Sequence, residues 1–204
     1  MKLPAFFSEI APIVLRDPLA ELLGAAEGGL LEYRFADAVK LAGHSCPTVA
    51  GAWLTTVRAL RALYGDEIPV RGQIAVALPE AQDSGVAGVI ASVAGLLTGA
   101  AGEGGFKGLA GQYGRRQLLR FGVAGIGGLA FRRLDTKQGV ECTLRLDGVP
   151  ADPQLGQLLP GILQGSADAA QKGLFGELWQ ARVKRILVDH GDDPALVDIR
   201  PYAA

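Results

Sequence analysis

The sequence predicts an α+β fold, a mixed sheet with packed helices. Three observations carry this. Helical and strand periodicities alternate through the first half of the chain, a hairpin pattern arrives only after residue 125, and residues 151–204 read as helical. The order is therefore not a long parallel series of strand–helix–strand units. We read residues 1–150 as one α+β core domain and 151–204 as a C-terminal helical extension packed on it. With 204 residues, 49% of them hydrophobic and 20% charged, the chain can bury a sizeable core.

The elements follow in order. "PIVLR" (12–16) reads as a short strand and "DPLAELLGA" (17–25) as the helix after it, with Asp17 as N-cap and Pro18 at the first helical position. Residues 31–42 place apolar side chains at 31, 33, 35, 39 and 41, a strand-like alternation broken near Asp37. A helix is expected over 47–64, with Pro47 at its start and Trp53, Val57, Leu60 and Tyr64 on one stripe. "GQIAVALPE" (72–80) reads as a strand. The next helix is capped by Asp83 or Ser84 and carries a stripe of Val86, Val89, Ile90, Val93, Leu96 and Leu97. Residues 99–114 are a glycine-rich loop. Residues 127–135 and 140–148 read as a hairpin, and two helices follow near 152–164, which holds Pro160, and 167–189. Leu174, Phe175, Leu178, Trp179, Val183 and Ile186 make the apolar face of the last helix.

Composition excludes some function classes. A formal net charge of -1 offers no general pull toward nucleic acid or an anionic membrane, and the basic "RVKR" (182–185) reads as the solvated side of a helix. No charge lies between Asp83 and Glu103, nearly the length of a bilayer span, but glycine, alanine, serine and threonine dominate there and a buried helix is expected. The start "MKLPAFFSEIAPIV" shows no signal peptide, so a cytoplasmic location is expected.

The chemistry-bearing residues are scarce. His44 is one of two histidines and Cys46 one of two cysteines, and they stand two apart ahead of Pro47. Imidazole and thiol both suit zinc, nickel or iron, and a thiol just before a helix start gains thiolate character from the helix dipole. Glu80, Asp83 and Glu103 flank strand and helix ends and are candidates to complete such a site. The plainer reading makes His44 part of a turn and Cys46 a small buried apolar residue. Cys142 reads as packing, and His190 as a helix C-terminal residue. "GIGGLA" (125–130) leads into a strand, which argues against dinucleotide binding. The glycine-rich loop lacks P-loop order, but it could form an anion nest with Lys107, Arg115 or Arg116 as charge partners.

"AGHSCPTVAGAWLTTVRALRALYG", then "PVRGQIAVALPEAQDSGVAGVIASVAGLLTG", then the glycine-rich loop, resembles the core domain of the formylmethanofuran dehydrogenase E-subunit family over about residues 30–120. That family carries His-Gly-His-x-Cys-Pro-Gly before a helix, then a strand, an Asp-rich turn and a second helix ending in Thr-Gly-Cys. The resemblance implies an α+β core holding a transition metal, usually zinc, near the His-x-Cys motif, and often a dimer. His44 and Cys46 match the motif's second His and its Cys. The first His is Ala42 here, the Cys after Thr98-Gly99 is Ala100, and the C-terminal zinc finger of many members is missing.

The expectation is thus a metal-binding protein, with His44, Cys46, Glu80, Asp83 and Glu103 as candidate ligands. It would hold zinc, with nickel or iron as alternatives, and serve as an accessory in redox or one-carbon metabolism. A homodimer and a metalloenzyme partner are implied, without nucleic acid or membrane. The alternative is a small-molecule binding or assembly module without metal chemistry. A third reading makes Cys46 an enzymatic nucleophile.

Overall fold

After a 3-10 turn at Ala5–Glu9, residues 13–33 form a two-stranded sheet whose Ile13 and Leu15 join the main core. Strand β1 (Ile13–Arg16) pairs antiparallel with β2 (Leu30–Tyr33), joining Ile13 to Tyr33 and Arg16 to Leu30. Between them lies the short helix α1 (Pro18–Leu22). Asp17 caps it by accepting from the amides of Leu19 and Ala20, as its place before Pro18 predicts. The computed structural model describes residues 2–203.

The strand-like reading of 31–42 is corrected here. After β2 the chain turns into helix α2 (Phe35–Ala42), which buries Phe35 and Ala38 and half-buries Val39 and Ala42. Those four positions recur at helical spacing, and the Asp37 carboxylate accepts from the Arg34 amide at 2.9 Å, closing the first turn. Helix α3 (Pro47–Tyr64) follows and runs through the core, with Trp53, Val49 and Leu60 almost fully buried. It spans the residues its pattern predicts. Its burial is wider than one stripe, because it packs against α2, helix α4 (Ala87–Thr98) and the main sheet.

That sheet has five strands, β3 (Ile74–Ala77), β4 (Leu119–Arg120), β5 (Leu129–Arg133), β6 (Gly139–Leu144) and β7 (Val197–Pro201), in the order β4-β3-β5-β6-β7. Strands β3 and β4 run parallel and the other pairs antiparallel, so the sheet is mixed and the fold is α+β. Ile74, Val76, Leu129, Phe131 and Cys142 are buried on the face that α3 and α4 cover. The opposite face holds a small cluster of Ala77, Ala130 and Ile126 with Tyr202 against it. Gly51 lets α3 approach the sheet, since a side chain there would strike Leu144.

Helix α4 begins later than its acidic cap candidates suggest. Its N-cap is Val86, with no side-chain cap, and residues 82–86 form turns. In the C-terminal region, α5 (Pro153–Leu163) keeps Pro160 inside it. Helix α6 (Ala169–Lys184) continues into one π-type turn, Arg185–Asp189. Val183 and Ile186 are fully buried, while Leu174 stays exposed. The chain then returns as β7 on the edge of the sheet, so residues 151–204 are not wholly helical. Val197–Pro201 is short and contains Arg200 and Pro201, which hides its strand character from a pattern reading. No helix among the described residues is long and apolar enough to cross a membrane.

Candidate functional site

The His-Ser-Cys segment forms the joint between α2 and α3. Gly43 ends α2 in the left-handed conformation. His44 is exposed, and its Nδ1 lies 3.0 Å from the Ala42 carbonyl oxygen. Cys46 is buried and is the N-cap of α3, with Sγ accepting from the Val49 amide at 3.4 Å. The residue between them is held from a distance. Ser45 Oγ donates to Gln180 Oε1 at 2.9 Å, and the Ser45 carbonyl accepts from Gln180 Nε2 and Trp179 Nε1 at 3.1 and 3.2 Å. Helix α6 therefore clamps the joint, a role that nothing in the motif signals.

The other candidate ligands are engaged or placed elsewhere. Glu103 is exposed and binds Arg116 and Gln117, and the Arg116 guanidinium holds its carboxyl below the usual range. Asp83 is exposed in the turns before α4. Glu80 is exposed after β3, where its backbone carbonyl accepts from the Gly122 amide. Among the described residues, no three side chains of His, Cys, Asp or Glu gather closely enough to hold a metal ion. The donor set thus does not fit the resident metal that the family resemblance implies, which needs three or four converging ligands. The anion-nest reading of 99–114 also changes, because Arg115 pairs with buried Asp17 at 2.6 Å and Arg116 with Glu103.

A different site comes from residues far apart in sequence. A cavity of about 260 Å³ opens where the ends of β3 and β5 meet β6 beneath α3 and α4. Ala52, Leu78, Ile90, Leu129 and Leu144 make its apolar wall. Thr55 also lines it, only 3% exposed, and its Oγ1 is buried with no hydrogen-bond partner. Its neighbours behave otherwise. Thr56 donates to the Ala52 carbonyl at 2.7 Å, and Thr98 to that of Ala94 at 2.8 Å, the usual outlet for a hydroxyl inside a helix.

Cys142 is the second buried side chain on the wall that can hydrogen-bond. It is 1% exposed, and burial pushes its thiol up to about 12, so the thiol stays protonated at neutral pH. It serves there as a weak donor and a soft apolar surface, not as a nucleophile. Beside it, Glu141 accepts from the Gly127 amide at 2.8 Å, fixing the strand end that forms one rim. Glu80, named from the sequence as a metal-ligand candidate, also lines this cavity. Thr55, Cys142 and the glycine pair 127–128 complete it. Only a buried hydroxyl at mid-helix could have pointed to Thr55, and that signal is weak.

No family model matches the chain, and no curated protein matches it. Among solved structures, the crystal structure of a tungsten formylmethanofuran dehydrogenase FmdE-like protein from Syntrophus aciditrophicus is similar, with 14% identity and a TM-score of 0.44. The alignment covers 84% of this chain and 73% of that one. This is a distant structural resemblance, and no residue's role passes from that protein to this chain.

Proposed function

We propose that this protein binds a small molecule in the cavity beneath α3 and α4, as a module that works without a resident metal. The observation that carries this reading is the Thr55 hydroxyl, buried and without a partner on a mostly apolar wall. A buried polar group left unpaired costs about 1–3 kcal/mol, which a ligand oxygen or nitrogen at that place recovers. Apolar walls with a few placed polar groups are the usual make-up of small-molecule sites.

Thr55→Val tests this directly, since it removes the hydroxyl and keeps the shape. In the free protein the variant should be as stable as the parent or more so, read from urea unfolding. It should also lose the thermal stabilisation that small hydrogen-bonding compounds confer on the parent. A loss of more than about 1 kcal/mol in the free variant would mean that the hydroxyl is already bonded, and the reading would fail. Zinc titration tests the metal reading beside it. Stoichiometric uptake abolished by both His44→Ala and Cys46→Ala would establish a metal site at the α2–α3 joint; we expect none.

A further inference from the structure

The cavity also carries a charge signature. Among the described residues, Glu80 is the only ionisable carboxylate or base on its wall, the other lining groups being aliphatic side chains, glycines, two threonines, Pro79 and the protonated Cys142. The Glu80 side chain is exposed and makes no ion pair or hydrogen bond among the described residues, while its backbone is pinned by Gly122 at 2.8 Å. Arg58 lies near enough to act on the Cys142 thiol, but it does not line the cavity and donates to the Asp193 carbonyl at 2.6 Å. Glu141 adds a second carboxylate behind the rim, committed to the Gly127 amide.

Resting on the cavity reading above, we infer that the ligand is a small aliphatic amine bearing an oxygen at its far end, an amino alcohol. The ammonium sits at the mouth beside the Glu80 carboxylate. The methylene chain lies on Leu78, Ile90 and Leu144, and the oxygen meets the Thr55 hydroxyl at the buried end. An anionic ligand would face the Glu80 carboxylate with no cation on the wall to receive it, a repulsion that weakens toward the solvent-screened mouth and grows with depth. A cation gains a charge-assisted contact, and because Glu80 is exposed the gain is modest and sensitive to salt.

The probes are the terminal amino alcohols from aminopropanol to aminohexanol, with the diol and the hydroxy acid of equal length, titrated calorimetrically on the full chain. The amino alcohol should bind about two- to fivefold tighter than its diol, with the hydroxy acid weakest. Glu80→Gln should erase the preference of amine over diol while leaving diol affinity unchanged, and added salt should shrink the preference in the parent alone. Thr55→Val should weaken amine and diol together. Equal binding of amine and diol, or a preference that survives in Glu80→Gln, overturns the amine assignment and leaves the cavity reading standing. If no probe binds and Thr55→Val destabilises the free protein, the cavity reading itself falls.

Discussion

At the scale of single residues, the strongest constraint lies away from the cavity. Asp17 is 4% exposed and takes two guanidinium groups, Arg71 on one carboxylate oxygen and Arg115 on the other. Arg71 also donates to the carbonyls of Leu96 and Leu97 at the C-terminal end of α4, where the helix dipole favours a cation. Burial lowers the Arg115 pKa, and its Nη1 has no partner, so the pair of arginines depends on the single carboxylate. Asp17→Asn removes that charge, keeps a capping oxygen for α1, and leaves the buried Arg115 beside the half-buried Arg71 with no carboxylate between them. It should cost about 3–5 kcal/mol, read as a fall in the urea midpoint with an unchanged slope. The N-cap role of Asp17 is legible beside Pro18. The ion pairs are not, because Arg71 and Arg115 stand 54 and 98 positions away.

At the scale of elements, the joint between α2 and α3 shows what a scarce motif can be for. Cys46 is an N-cap and Ser45 an anchor for α6, so the segment has a complete structural role before any ligand is considered. Cys46→Ser should therefore keep the cap and hold stability close to that of the parent. Cys46→Ala should lose about 1 kcal/mol, measured by chemical unfolding of the two variants side by side. Equal losses in both would mean that the thiol matters for packing and not for the cap. Long or strongly patterned elements such as α3 and the β5–β6 hairpin are readable in the sequence, since periodicity and Pro47 point the same way. Helix α2 is not, because Tyr33 and Phe35 continue an apparent alternation across the true strand end at Tyr33. The two-residue β4 is too short to show a period. The cavity escapes for another reason: α3, α4, β5, β6 and the loops after β3 and before β5 each lend it one to three residues, and no local spacing records that meeting.

At the scale of the whole molecule, the division at residue 150 separates parts that share one core. Val183, Ile186 and Leu187 join the central cluster with α3, and Leu196 and Val197 are buried where β7 pairs with β6. Each such side chain contributes about 1.5–3 kcal/mol when fully buried, so five of them rival the 5–15 kcal/mol by which an ordinary domain is stable. Removing them would also strip β6 of its partner and turn it into a free sheet edge open to other chains. A chain cut back to 1–150 should accordingly show no cooperative unfolding and a flat near-ultraviolet circular dichroism spectrum, and it should associate with itself. A chain cleaved at the exposed turn around Gly165, with both pieces kept, should retain its near-ultraviolet spectrum, because that turn between α5 and α6 buries nothing but Ala167. A cooperative transition in the 1–150 chain would instead make the first 150 residues a self-sufficient domain, with the rest an appendage. The cleaved protein makes that result decisive, because it loses chain continuity without losing the buried side chains.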